Sequence, residues 1–204
     1  MTETLKLKCK ANNMEEFMQL PNLLQCLEVR AAYYIMQVSK GIKDANTEEK
    51  VWMNELIAID IDKMARAHLI YLMYQLSVEV LSQHKFKDAN IGRVLNLVCQ
   101  LFAIKQLKDN HAALYEVGFF GPGSVELIER AFKKLLVDLR PHMLGLVEWF
   151  SVGDTTPSVI GNKYGDIYEA QLETAMKSKL NTGEPPSFYH KYMKPTMTMY
   201  KPKL

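Results

Sequence analysis

Residues 47–87 contain neither glycine nor proline. Over that stretch Trp52, Leu56, Ile59, Met64, Ala67, Tyr71, Leu72, Val78 and Leu81 recur at the spacing of one helical face. Ahead of them, Asn46-Thr47-Glu48-Glu49 has the capping-box pattern: an Asn that can accept from backbone N–H groups, and a Glu three residues on that can reach back. One long helix over 47–82 is therefore expected. Such a helix is stabilised by packing its apolar stripe on other elements rather than by propensity alone. No alternating apolar run bounded by hairpin turns occurs in the chain, so the partners are expected to be helices.

The rest of the chain supplies them. Residues 1–20 are Lys-rich, then Met-rich around Met14 and Met18, and read as an irregular lead-in. A helix over 21–40 would turn Leu24, Leu27, Ala31, Tyr34, Ile35 and Val38 to one side, with Gly41 stopping it. After a break at Lys87-Asp88-Ala89-Asn90, a third helix is expected over 91–116. Val94, Leu95, Val98, Leu101, Phe102 and Ile104 would lie inside, with an interruption at Asp109-Asn110. Gly118-Phe119-Phe120-Gly121-Pro122-Gly123 is a turn. Ser124 would then cap a fourth helix with Leu127, Ile128, Ala131, Phe132, Leu135, Leu136 and Leu139 inward. Pro141 disfavours helical angles at Arg140, so a kink is expected before a segment over 143–150. Thr156-Pro157 has the pattern of a cap and first helical residue. Gly165, at a helix start that needs a small residue, precedes Asp166, which would cap a helix over 166–179 with Ile167, Tyr168, Leu172 and Met176 inside. A short helical segment after Pro185-Pro186-Ser187 would run to Lys194. The expected fold is all-α, an antiparallel helical bundle. Its parts are a lead-in over 1–20, a helical domain over 21–194 and a basic tail over 195–204.

Composition narrows the function. Hydrophobic residues make up 48%, enough for a substantial core. A net charge of +2 argues against a dedicated nucleic-acid binder, which needs concentrated phosphate-neutralising charge. The lysines gather late: 177, 179, 191, 194, 201 and 203 stand against Glu184 alone. Cys9, Cys26 and Cys99 are an odd number at wide spacing, which forms no disulfide framework and suits a reducing compartment. No secretory signal is visible at the N-terminus, and the apolar run over 95–104 is too short to span a bilayer.

Motifs for chemistry are scarce. His68, His84, His111, His142 and His190 never take metal-ligand spacing, and no metal site is expected. His68 falls on the inner stripe of its helix and reads as a core or interface residue. Gly121-Pro122-Gly123-Ser124 precedes a helix but lacks the phosphate-loop pattern, and a turn with a cap explains it. No nucleophile elbow occurs. Glu79, Glu116, Glu148 and Glu169 are not set apart by their neighbours, so no catalytic base is assigned. The 12 methionines suit core filling.

One stretch carries a resemblance. Leu139-Arg140-Pro141, then Leu146-Val147-Glu148-Trp149-Phe150, then Gly161-Asn162-Lys163-Tyr164-Gly165-Asp166-Ile167-Tyr168-Glu169, then Ser178-Lys179-Leu180-Asn181 follow in order. This resembles the C-terminal region of peroxisomal acyl-CoA oxidases, with Arg140, Pro141, Gly161, Gly165, Tyr168 and Glu169 as the motif residues. The chain departs where Asn162-Lys163-Tyr164 replaces the family's Arg-Tyr-Asp and Glu148-Trp149-Phe150 its Asp-Ala-Phe. Residues 185–195 look like the family's closing segment, and the stretch over 60–68 is similar to one with an Ala-x-x-His core.

The resemblance implies a C-terminal helical domain of an FAD-dependent acyl-CoA oxidase. That enzyme converts fatty acyl-CoA and oxygen to trans-2-enoyl-CoA and hydrogen peroxide, the first step of peroxisomal β-oxidation. In the family, flavin, substrate and the proton-abstracting glutamate are held mainly upstream, and no counterpart of that glutamate is present here. The implied role is packing on upstream acyl-CoA dehydrogenase-like catalytic domains and supporting a homodimer. FAD belongs to the complete enzyme, no cofactor is expected on this chain alone, and activity alone is not expected. Pro202-Lys203-Leu204 resembles the C-terminal Ser-Lys-Leu address read by the peroxisomal import receptor; Lys203 and Leu204 match and Pro202 departs. The expected location is the peroxisome, otherwise the cytoplasm. The alternative is a free-standing, non-catalytic helical module for dimerisation or binding, derived from that domain.

Overall fold

The structure is a computed structural model that describes residues 3–11, 13–45, 57–150, 165–178, 181 and 183–199. It is helical, and among the described residues there is no strand. The chain divides into two compact units, Met1–Met143 and Leu144–Leu204.

The first unit is built on α2, Leu20–Ala45. It is preceded by a 3-10 turn, Thr4–Lys6, and a short α1, Met14–Phe17, where the Asn13 side chain accepts from the Glu16 N–H at 2.9 Å. The lead-in is thus more ordered than its sequence suggests. Phe17 and Met18 belong to the core, and the Cys9 N–H donates to the Phe119 carbonyl at 3.0 Å. Pro21 sits in the first turn of α2, where its missing N–H leaves no helical bond unmade.

Gly41 does not stop α2, as its sequence position suggested; the helix runs four residues further, to Ala45. The glycine is there for close approach. A Cβ at Gly41 would lie 3.0 Å from Ile57 Cγ2.

Three further long helices complete this unit: α3, Ala58–Gln83, α4, Ala89–Asp109, and α6, Ser124–Leu139, with the short α5, Ala112–Glu116, between α4 and α6. Helix α2 packs on α3, α4 and α5, and α4 packs on α6. Leu23, Cys26, Leu27 and Val29 of α2 meet Ala103, Ile104 and Leu107 of α4, Ile128, Ala131 and Leu135 of α6, and Tyr74 of α3 in one cluster. Each fully buried aliphatic side chain there contributes about 1.5–3 kcal/mol relative to exposure. The interruption expected at Asp109-Asn110 is present. The turn after α5 is closed by Phe119 and Phe120, whose N–H groups both donate to the Leu114 carbonyl. Asp88 caps α4 by accepting from the Asn90 N–H at 2.8 Å.

Several inward assignments are corrected. Ile59, Leu72, Val98, Leu136 and His68 are exposed. On α3 the face turned to the core carries Ala67, Ile70, Tyr71, Tyr74 and Val78. That helix is apolar on two sides, so spacing alone could not choose between them. Ser124 is not the cap of α6 but its first residue. Gly123 takes the N-cap position with φ 88°, and the Ser124 hydroxyl donates to the Gly121 carbonyl at 2.9 Å. Helix α3 begins at Ala58 after a non-helical Ile57, whereas the start proposed at Asn46-Glu49, with Trp52 and Leu56, lies outside the described residues. Pro141 has the expected effect: Arg140–His142 is a 3-10 turn.

In the second unit the described elements are helical. Helix α7 is Met143–Trp149, beginning on the last residue of the first unit, and α8 is Ile167–Lys177 with Asp166 at its N-cap position. A π turn, Tyr189–Met193, leads into α9, Lys194–Met199, so the last helical segment passes Lys194, where an end was expected. None of this unit's described residues is buried. Tyr168, Leu172 and Met176, expected on an inner face, are exposed. Thr156-Pro157 lies outside the described residues.

Candidate functional site

Arg30 is the feature that sequence reading passed over. It stands on α2 one turn beyond Cys26 and Leu27, at a core position, and is 1% exposed. A signal was available: a charged residue on a buried stripe. Its Nη1 donates to the Gln106 carbonyl of α4 at 2.9 Å. Its Nε and Nη2 are buried and have no hydrogen-bond partner among the described residues. Burial holds the guanidinium below its ordinary pKa, and the nearby Tyr34 and Cys26 oppose that shift. Arginine's intrinsic pKa is high enough that the group stays charged at neutral pH.

Arg30 lines a cleft of about 560 Å³ formed by α2, α3 and the end of α4. Tyr34, Ala67 and Ile70 contribute to its walls, and Lys63 and Arg66 bring two more cations. Both are outer residues: Lys63 lies 3.5 Å from Asp60, and Arg66 Nε donates to Asp62 at 2.8 Å. Exposed pairs of this kind contribute little to stability. The carboxylates sit beside the exposed cations, whereas among the described residues no carboxylate is bonded to Arg30.

A second feature is apolar. Leu69, Leu72, Met73, Leu76 and Val80 form an exposed stripe along α3 at helical spacing. Leu76 is 61% exposed. Contiguous apolar surface of this kind marks an interaction face more often than a scattered exposed leucine does. The second unit presents Leu144, Val147, Trp149 and Phe150 in the same way, and Leu172 and Met176 on α8.

Arg140 and Pro141 are exposed in the 3-10 turn after α6. Gly165 has φ 76° just before α8, and Tyr168 and Glu169 are exposed in that helix's first turn, Tyr168 at 87%. Gly161 and the targeting-like residues Pro202, Lys203 and Leu204 lie outside the described residues. His142 Nε2 lies 3.2 Å from Arg93 Nη2, and His111 Nδ1 lies 3.1 Å from the Lys108 carbonyl. Among the described residues no group of three His, Cys, Asp or Glu side chains could hold a metal ion, and no helix is long and apolar enough to cross a membrane.

A flavin needs backbone donors for its pyrophosphate and a slot for its ring system. The glycine-rich turn ahead of α6 is closed on itself by the Ser124–Gly121 bond. That turn does not offer a cradle for the flavin's pyrophosphate.

The family model for acyl-CoA oxidases matches residues 19–198. Peroxisomal acyl-coenzyme A oxidase 1 of Phascolarctos cinereus is 29% identical over 179 residues, covering 85% of this chain and 26% of that protein. Peroxisomal acyl-coenzyme A oxidase 2 of Mus musculus is 28% identical, covering 97% and 29%. Among solved structures, Arabidopsis thaliana acyl-CoA oxidase 1 superposes with a TM-score of 0.79 at 21% identity, covering 97% of this chain and 30% of that one. Caenorhabditis elegans acyl-CoA oxidase-1, solved with FAD and ATP, gives 0.77 at 16%, covering 96% and 30%. The chain therefore spans between a quarter and a third of the length of these relatives.

Proposed function

The chain belongs to the acyl-CoA oxidase family, and from that premise we propose that it serves as the C-terminal helical domain of a peroxisomal, FAD-dependent acyl-CoA oxidase. The complete enzyme would convert fatty acyl-CoA and oxygen to trans-2-enoyl-CoA and hydrogen peroxide. Flavin, substrate and the base that takes the α-proton would be held upstream. This domain would pack on that catalytic core and support the dimer. The motif residues around Arg140 and Gly165 would set the chain path, and Lys203-Leu204 would contribute to the peroxisomal address.

The observation that carries the reading is the apolar stripe on α3. Leu69, Met73, Leu76 and Val80 are exposed on a helix whose opposite face is already in the core. A helix apolar on both sides is one that larger proteins bury completely. The catalytic core proposed above would supply the partner for it.

The test is co-purification of the chain with a tagged acyl-CoA oxidase catalytic core from the same source. The wild-type chain is expected to be retained. Met73→Asp with Leu76→Asp is expected to reduce retention at least about tenfold, since charge placed at an apolar interface is left without its hydration, with helical content unchanged. Retention of the double variant at wild-type level would refute the role given to the stripe.

A further inference from the structure

We infer that the last helical segment, from Phe188 through the π turn Tyr189–Met193 to Met197 in α9, is a docking face for an anionic lipid surface, on which it would lie without crossing. The inference rests on this segment's own side chains and is independent of the function proposed above.

The charge here has one sign. From residue 185 to residue 204 the chain carries Lys191, Lys194, Lys201 and Lys203 and no Asp or Glu. Lys191 and Lys194 are exposed, as is His190. An anionic membrane attracts such a segment by about fivefold in affinity for each lysine held near its surface.

Apolar side chains are exposed beside the cations. Phe188, Tyr192, Met193 and Met197 all face solvent. Phe188 with Tyr192, and Met193 with Met197, stand four residues apart, a spacing that puts each pair on one side of a helix. His190 and Lys191 reach Lys194 by the same spacings, so the cations gather too. Lys191 Nζ lies 5.0 Å from the centre of the Tyr192 ring, which sets a cation beside an aromatic face.

This combination suits an interface between water and hydrocarbon. An interfacial helix sinks its apolar side chains into the boundary between headgroups and acyl chains while its cations meet the headgroups. Tyrosine is favoured at that depth because its ring is apolar and its hydroxyl polar. An acidic polymer would pair with the lysines and offer no apolar layer for Phe188, Met193 and Met197. Among the described residues no helix is long and apolar enough to cross a membrane, so the segment would lie along the surface.

The test is co-sedimentation of the purified chain with vesicles of equal parts phosphatidylcholine and phosphatidylserine and, in a parallel arm, with vesicles of phosphatidylcholine alone. Binding to the mixed vesicles, weakened by added salt, is expected, with little to the neutral ones. Lys191→Gln with Lys194→Gln should weaken it about twentyfold, the product of two single-lysine losses. Phe188→Ser with Tyr192→Ser keeps every charge and should weaken it by about tenfold or more. All four positions are exposed, so the far-UV circular dichroism of both variants should match that of the wild type. No binding of the wild-type chain to the mixed vesicles would overturn the inference. So would equal binding to the two kinds of vesicle, or undiminished binding by the lysine variant. Undiminished binding by the Phe188 and Tyr192 variant would show attraction by charge alone, such as an acidic protein or a nucleic acid also exerts, and would overturn the assignment to lipid.

Discussion

Gly41 gives the sharpest test of how the helices meet. It lies inside α2, where replacing glycine by alanine would ordinarily stabilise by about 1 kcal/mol through backbone entropy. Here the added Cβ would sit 3.0 Å from Ile57 Cγ2, well inside normal carbon–carbon contact. Ile57 is buried just before α3, and its β-branched side chain is stiff at χ1. Overpacking of this kind costs about 1–3 kcal/mol. The clash should win, and Gly41→Ala should destabilise by about 1 kcal/mol. In an Ile57→Ala background the offending methyl is gone, and the same change should stabilise by about 1 kcal/mol. The cycle therefore predicts a coupling of about 2 kcal/mol, within the range for residues in contact. Ile57→Ala is itself costly, about 2–5 kcal/mol, and the cycle subtracts that term. Urea unfolding followed by far-UV circular dichroism reads all four proteins. Additivity of the two changes, or stabilisation by Gly41→Ala in the wild-type background, would refute the approach of α2 to Ile57.

Other outcomes follow from single residues. Gly165 has φ 76° and no atom of the described residues within 4 Å of its missing Cβ, so Gly165→Val should destabilise through backbone strain, by about 1 kcal/mol or more; an unchanged thermal midpoint would contradict this. Cys26 has its thiol pKa raised, chiefly by burial, from an ordinary value of 9.0. Its contribution to stability is full below that value and is lost as pH rises beyond it. The thermal midpoint should therefore fall above about pH 9, less steeply in Cys26→Ala, and the Cys26 thiol should react with disulfide reagents only after unfolding.

Much of the fold was legible because helix breaks have local causes. Asn110 ends α4 and Pro141 forces the 3-10 turn, each by its own backbone chemistry. What was not legible depended on partners. Gly41 reads as a stop until Ile57 is seen against it. The α3 stripe through Leu72 and Leu76 is apolar on the same helix as Ala67 and Tyr74, and only packing tells which face is inside. Phe17 looked like part of a loose lead-in, yet it lies in the core, its ring centroid 6.1 Å from that of Phe120. Arg30 carried a readable signal, a cation at a core spacing, but its bond to the Gln106 carbonyl depends on how α2 packs on α4.

The central claim is that this helical chain works as part of a larger acyl-CoA oxidase. Its most direct test is an immunoblot of source cells with an antibody raised to residues 135–204. The account predicts a band several times heavier than the 23.4 kDa of this chain, in proportion to the quarter to a third of its relatives that it spans. A band at 23.4 kDa alone would contradict it and would favour the free-standing helical module.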